Sequence, residues 1–248
     1  MNRFFICKDQ IIGDRIEIIG KDVKHIRDVL RLKNKDRIEI LSENRTYICE
    51  ILEINSDVVL VSILDSFEGK NEPPIDIILY QGIAKGDKMD FIIQKCTEIG
   101  VKEIYPIVTN RTIVKIKDKR KEQKKVERWK TIAEEAAKQS KRDTIPIVNN
   151  IITYNEMIHI LDGEENIIVP YEMERMNTLK KAFKDIKNGN IHIIIGPEGG
   201  FEEKEINAIL NIGGKPVSLG PRILRTETAG IVVISITLYE LGDLGVRL

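Results

Sequence analysis

Residues 193–201 read IIIGPEGGF, and residues 218–230 read SLGPRILRTETAG. Each stretch follows a short run of β-branched residues and leads toward a segment patterned as a helix. In an α/β sheet, backbone-rich loops at neighbouring strand ends form the usual site for a small cofactor. The pair therefore predicts an α/β domain with a ligand site near the C-terminus.

Working outward, the chain alternates from residue 75 onward. Strands are predicted at 76–80, 103–108, 145–148, 167–169, 191–195 and 216–219, and helices at 87–99, 121–140, 154–161, 176–186, 202–210 and 226–241. Such alternation implies a mostly parallel sheet covered on both faces. The last segment is ambiguous, because AGIVVISIT is rich in β-branched residues and local propensity favours a strand. Its length favours a helix, strands usually running about 4–8 residues. As a helix it is apolar nearly all round, and a subunit interface would cover it.

Upstream the rhythm differs. Short strands at 3–7, 15–19, 37–41, 46–54 and 58–64, with a helix at 21–32, suggest a small β-barrel. Residues 68–74, EGKNEPP, break both patterns and read as a linker between domains 1–67 and 75–248.

With 42% hydrophobic and 31% charged residues in 248, the chain can build a core and carries no signature of disorder. Cys7, Cys49 and Cys96 are widely spaced, which argues against a disulfide scaffold or a zinc site and for a reducing compartment. The apolar run 229–239 is interrupted by Ser235 and Thr237 and is shorter than a bilayer span of about 20 residues. A cytoplasmic protein with no membrane segment and no metal is expected. Net charge is zero but uneven: residues 71–130 hold 14 basic and 9 acidic side chains, and KIKDKRKEQKKVERWK at 115–130 holds nine and three. Such a concentration can bind a polyanion, although a solvated helix face is the plainer reading.

The two loops constrain the ligand. GPEGG is not the dinucleotide fingerprint GxGxxG, and no Walker lysine motif occurs. Glu198, Glu202 and Glu203 crowd a helix start where a pyrophosphate would want bare amides. A ligand with a cationic centre fits better, such as the sulfonium of S-adenosylmethionine; a glycine turn with ordinary acidic helix-start residues is the alternative. In the second loop Leu219-Gly220-Pro221 forms a turn, and Thr226 or Thr228 could cap the next helix. Ile223 and Leu224 offer an apolar wall for an adenine ring. Arg222 and Arg225 flank it, and Arg225 gains nothing from the helix dipole beside it, a hint of function weighed against an ordinary surface arginine.

KGDKMDFIIQKCTEIGV, EEAAKQSKR, IIIGPEGGF and SLGPRILRTETA, in that order, resemble the RsmE-type 16S rRNA uridine N3-methyltransferases of the SPOUT superfamily. The likeness runs over nearly the whole chain, including RFF at 3–5 and HIRDVLRLK at 25–33. It implies a PUA-like β-barrel at 1–67 for RNA binding, then an α/β SPOUT domain at 75–248 with a C-terminal trefoil knot. It implies a homodimer acting on 16S rRNA, within the assembled small ribosomal subunit. S-adenosylmethionine would be held by Pro170, Tyr171 and Glu172, by Gly196, Pro197, Gly199 and Gly200, and by Leu219, Gly220, Ile223, Leu224 and Thr228. Relatives often carry an acidic residue before the arginine of NRT at 110–112, which leaves the role of Asn110 open.

For catalysis, Arg225 is a poor base but a good partner for negative charge developing on a uracil oxygen. Glu198, inside the glycine loop, is the candidate proton acceptor or ligand positioner. Gly196, Gly199, Gly200 and Gly220 would let the backbone approach the cofactor. Candidate RNA contacts are Arg3, Lys24, Arg27, Arg31, Arg111, Lys115, Lys119, Arg120 and Lys124. His25, His159 and His192 show no ligand spacing, and Trp129 is expected to pack. The rival readings are an RNA-binding protein without catalysis, a ribose 2′-O methyltransferase and a nicotinamide dehydrogenase lacking its fingerprint.

Overall fold

The structure is a computed structural model and describes residues 1–113, 118–186 and 189–245. It divides into two compact units: Met1–Glu72 with Ala137–Thr144, and Pro73–Ala136 with Ile145–Leu248.

The first unit contains β1 (Asn2–Phe5), β2 (Ile11–Ile12), β3 (Arg15–Ile19), α1 (Lys21–Lys24), β4 (Arg37–Ser42), β5 (Arg45–Ile54) and β6 (Val58–Glu68). After α1 the chain continues through a π-helical turn, His25–Val29, so the helix expected at 21–32 is shorter. The strands form one six-stranded sheet in the order β1-β4-β5-β6-β3-β2. Alternation explains the faces: in β3, Ile16 and Ile18 are buried while Arg15, Glu17 and Ile19 are exposed. Glu43 and Asn44, both at positive φ, form the tight turn that fixes the β4–β5 hairpin. Phe4, Ile16, Ile26, Ile38, Ile40 and Val61 fill the core.

Residues 137–144 join this unit from far along the chain, through a buried charge network. Arg3 pairs with Glu39 at 2.8 Å and with Asp143 at 3.2 Å, and donates to the Arg142 carbonyl. Glu72 pairs with Arg142 at 2.5 Å and accepts from the Asp143 N–H at 2.8 Å. Arg3 therefore does not fit its expected part as an RNA contact: its side chain is 5% exposed and its donors point inward.

The second unit contains β7 (Ile77–Gly82), α2 (Lys88–Ile99), β8 (Glu103–Val108), α3 (Lys119–Gln139) up to Ala136, β9 (Ile147–Val148), β10 (Ile152–Thr153), α4 (Tyr154–Leu161), β11 (Ile167–Pro170), α5 (Leu179–Phe183), β12 (Ile191–Ile195), α6 (Glu203–Asn211), β13 (Lys215–Val217) and α7 (Thr226–Glu240). Its strands are all parallel, in the order β10-β8-β7-β12-β11-β13, with β9 also beside β8. Two apolar clusters cover the sheet, one including Leu79, Ile93 and Ile234, the other Tyr80, Met157 and Ile206. The strongly β-branched α7 is a helix: Val233, Ile234, Thr237 and Leu238 are buried against α2 and the sheet, while Ile236 and Tyr239 face outward. Burial of one long face overrides local propensity here.

One expected helix shrinks. Only Leu179–Phe183 of 176–186 is helical, because Thr178 caps it by accepting from the Lys181 N–H. Upstream, the Glu174 carboxylate accepts from the N–H groups of Met176 and Asn177 and holds that stretch as a turn. This leaves 171–177 as a loop beyond β11. Among the described residues no helix is long and apolar enough to cross a membrane.

Candidate functional site

Because β11, β12 and β13 run parallel, their C-terminal ends lie on one edge of the sheet. The loops leaving those ends, together with the start of α7 and Lys88 of α2, enclose a cavity of about 550 Å³. Pro170, Tyr171 and Glu172 come from the first loop, Gly196, Pro197, Glu198, Gly199 and Gly200 from the second, and Leu219, Gly220, Ile223, Leu224 and Arg225 from the third. Thr228, expected among them, is not part of the lining. It lies exposed in the first turn of α7, and helical geometry puts Thr226 and Ala229 on the cavity side instead.

The floor is fixed by hydrogen bonds between elements. Gln81 Nε2 donates to Thr226 Oγ1 at 2.9 Å, and Thr226 Oγ1 donates to the Gly196 carbonyl at 2.6 Å. This ties the end of β7, the start of α7 and the loop after β12. Gly82 lies in the same crossing: a Cβ there would sit 2.4 Å from Pro197 N, so only glycine lets the strand end and the loop meet. Gly200 has φ +66°, and a Cβ would come within 2.9 Å of Glu172 Oε1. Gly199 lines the cavity, but its absent Cβ would meet Arg111 Cβ at 2.9 Å. A bulkier residue at 199 therefore strikes the Arg111 loop first.

That loop also answers the question of Asn110. Its backbone N–H donates to Glu205 Oε1 at 3.0 Å and its side-chain Nδ2 to Glu202 Oε2 at 3.1 Å, the second a bond an acidic side chain could not offer. Arg111 Nη1 donates to the Gly199 carbonyl at 3.1 Å, so part of this exposed arginine is committed to the glycine loop.

Electrostatically the cavity is mixed. Arg225, the N-cap of α7, is exposed, as is Arg222, and Glu172 lines the cavity from the first loop. Glu198 Oε1 accepts from the Lys85 N–H at 3.0 Å and lies 3.5 Å from Lys88 Nζ. Partial burial pushes the Glu198 carboxyl up, but the N–H groups of Lys85 and of Glu198 itself, with the Lys88 ammonium, outweigh it and hold the group below the usual carboxylate value. A carboxylate so held is a weak base, which favours positioning over proton acceptance for Glu198. Burial pushes the Cys49 and Cys96 thiols up to about 12, which removes both as nucleophiles.

Sequence reading missed Lys88, Gln81 and Gly82. Lys88 carried a usable signal, a cation in the first turn of a helix. Gln81 and Gly82 carried none, because their importance appears only when β7 lies beside β12.

The basic residues divide. Lys24, Arg31, Lys119, Arg120 and Lys124 are exposed, whereas Arg27 makes a bidentate pair with Asp28 and reaches the Ser56 carbonyl. Lys115 lies outside the described residues. His192 is buried, with Tyr80 Oη at 3.5 Å and Glu164 Oε2 at 3.2 Å. Trp129 is buried and donates to Asp90. Among the described residues no group of three His, Cys, Asp or Glu side chains could hold a metal ion.

The chain is similar to known proteins over nearly its whole length. The family model described as RNA methyltransferase domain matches residues 71–238, and that described as RNA methyltransferase PUA domain matches 13–64. Ribosomal RNA small subunit methyltransferase E of Bacillus subtilis is 35% identical over 97% of each chain. The crystal structure of the ribosomal RNA small subunit methyltransferase E from Neisseria gonorrhoeae bound to S-adenosyl methionine is similar with a TM-score of 0.85 and 31% identity, covering 98% of this chain and 99% of that one. A Legionella pneumophila methyltransferase structure in complex with the bound cofactor SAM has a TM-score of 0.84 at 31% identity, over 96% and 97% of the two chains.

Proposed function

This chain belongs to the RNA methyltransferase family, and from that premise we propose that it transfers a methyl group from S-adenosylmethionine to N3 of a uridine in 16S rRNA of the small ribosomal subunit. The observation that carries the reading is the single cavity closed by the three loops after β11, β12 and β13. Its wall suits the cofactor: Leu219, Ile223 and Leu224 offer apolar surface for the adenine, and Glu172 and Glu198 offer negative charge near a cationic centre. When bound, S-adenosylmethionine supplies an electrophilic methyl group on a positively charged sulfur.

The chain's own residues have two tasks. Uridine N3 is nucleophilic only once its proton has left, so the site must favour the anionic ring. Arg225, permanently charged and exposed at the cavity edge, would stabilise charge developing on a uracil oxygen. Glu198, anchored by Lys85 and Lys88, positions the ligand and the loop that carries it. Exposed Lys24, Arg31, Lys119, Arg120 and Lys124 would meet phosphates, with Arg27 and Arg111 at half capacity.

The finer architecture belongs to the same proposal. The sheet of the first unit would close into a PUA-like barrel within 1–67, with 68–74 as linker. The chain of 75–248 would pass through a trefoil knot of the SPOUT type. Two copies would associate through the outward apolar face of α7, where Ile236 is 36% and Tyr239 66% exposed. The deciding experiment supplies labelled S-adenosylmethionine and small ribosomal subunits, then analyses the nucleosides. Label in 3-methyluridine is expected. Label in a 2′-O-methylated nucleoside, or none in RNA, refutes the reading.

A further inference from the structure

Lys88 is the first residue of α2, where the helix dipole disfavours a cation. It nevertheless lines the cavity, with its side chain 34% exposed. Its Nζ stands 3.5 Å from Glu198 Oε1 and 3.5 Å from Glu227 Oε2. Glu198 belongs to the loop after β12 and Glu227 to the first turn of α7, so one ammonium joins three walls of the cavity. Glu227 Oε2 is buried and accepts no hydrogen bond among the described residues, leaving the Lys88 charge as its compensation. Glu198, by contrast, also takes the Lys85 N–H. The other charged groups facing this corner are Glu172, Arg175, Arg222 and Arg225 on the cavity wall, with Asp87 beside Lys88 turned to solvent near Arg128.

We propose that Lys88 is a positioning residue of the methyl-transfer site, a cross-tie that holds the Glu198 loop and the start of α7 together at the cavity. The inference rests on the proposed function in naming S-adenosylmethionine, and on cavity geometry alone in naming the residue. Without Lys88, two carboxylates that shared one counter-charge face each other. Losing the ammonium also removes one of the influences that hold the Glu198 carboxyl low. The walls also lose a charge-assisted tie, an effect on the order of 10-fold in affinity.

The test is calorimetric titration of S-adenosylmethionine into the full chain between pH 5 and 8, for wild type, Lys88→Met, Lys88→Arg and Glu227→Gln. Lys88→Met is expected to bind about 10-fold more weakly at neutral pH, and to lose affinity on acidification at a higher pH than wild type, because the Glu198 carboxyl loses a cation that holds it low. Lys88→Arg should recover most of both, because a guanidinium can face two carboxylates. Glu227→Gln, which removes one of the two groups the ammonium joins, should weaken binding less than Lys88→Met while keeping the fold, and it stands in if Lys88→Met does not fold. Wild-type affinity and pH profile in Lys88→Met, or wild-type affinity in Glu227→Gln where it stands in, overturn the inference, as does Lys88→Arg no better than Lys88→Met. Wild type that binds the cofactor but methylates no RNA refutes the proposed function and leaves the Lys88 comparison intact.

Discussion

Replacing Thr226 with Val removes one hydroxyl and leaves a side chain of nearly the same shape, so the perturbation is confined to hydrogen bonds. Thr226 Oγ1 donates to the Gly196 carbonyl at 2.6 Å and accepts from Gln81 Nε2 at 2.9 Å. Gln81 is wholly buried, and its Oε1 already lacks a partner, so the strand end has no spare capacity. Its Nε2 keeps the Gly82 carbonyl at 3.0 Å, but one N–H is left unmet. An unsatisfied buried donor costs about 1–3 kcal/mol, and the half-buried Gly196 carbonyl adds less, so roughly 2 kcal/mol is expected. With a urea m-value of about 1–3 kcal/mol/M, that is a fall of about 1 M in the midpoint. Trp129, the single tryptophan, is buried in the second unit and reports on that unit alone by fluorescence. Because Gly196 lines the cavity, S-adenosylmethionine affinity should fall with it, by about 10-fold in titration. Thr226→Ser keeps the hydroxyl and should behave as wild type. An unchanged midpoint and affinity in Thr226→Val, or equal losses in Thr226→Ser, would refute the reasoning.

Asp143→Ala should destabilise the first unit by about 3 kcal/mol, since the deleted side chain, 1% exposed, compensates Arg3 and accepts from Asn71; hydrogen exchange in β1 and β4 reads it. Stability of the second unit should fall below about pH 6.5. Burial holds the His192 imidazole below its usual value against the opposing pull of Glu164, so the unfolded chain takes up the proton first, and His192→Gln should flatten that limb in urea titrations. Affinity for rRNA should fall steeply with salt, and Lys124→Ala should reduce the slope by about 0.7–0.9, whereas Lys130→Ala should change it less because Lys130 is paired with Glu127. Gly82→Ala should prevent the loop after β12 from seating, seen as loss of cofactor binding, because the added methyl meets backbone at Pro197.

Much of the fold was legible because periodicity is local. The segments 103–108, 154–161 and 191–195 coincide with β8, α4 and β12. The segment 176–186 was overextended because its first residues look helical in pattern, and only the side-chain bonds of Glu174 and Thr178 reveal a turn there. The cavity was legible for a different reason. Glycine and proline constrain backbone directly, so GPEGG and LGPR announced close approach without saying to what. What they approach is set by β7 pairing with β12, between residues more than a hundred positions apart, and no local pattern records that register. Arg3 was misread for the same cause: a basic residue opening a strand looks solvent-facing until Glu39 and Asp143 arrive from elsewhere in the chain.

Charges set against their helix dipoles offer a way past that limit. A cation in the first turn of a helix sacrifices a few tenths of a kcal/mol or more, and an isolated surface chain has little reason to keep it there. In this protein Arg225 caps α7 and Lys88 opens α2, and both line the same cavity although 137 positions separate them in sequence. Each is locally unfavourable, and each is explained by what the other elements bring: Glu198 and Glu227 for Lys88, and an open cavity edge for Arg225. Local frustration of this kind survives when a ligand or partner carboxylate supplies the missing counter-charge. The two cations therefore differ in a way that mutagenesis can separate. Lys88 has its counter-charges within the protein, so Lys88→Met should disturb cofactor binding before any RNA is present. Arg225 makes no ion pair among the described residues, so Arg225→Ala should leave cofactor affinity within about twofold and lower the single-turnover rate by about 100-fold, the scale of a lost oxyanion donor. If Arg225→Ala instead weakened cofactor binding and spared the rate, its charge would serve the cofactor, and the stabilisation of the pyrimidine anion would have to come from another group.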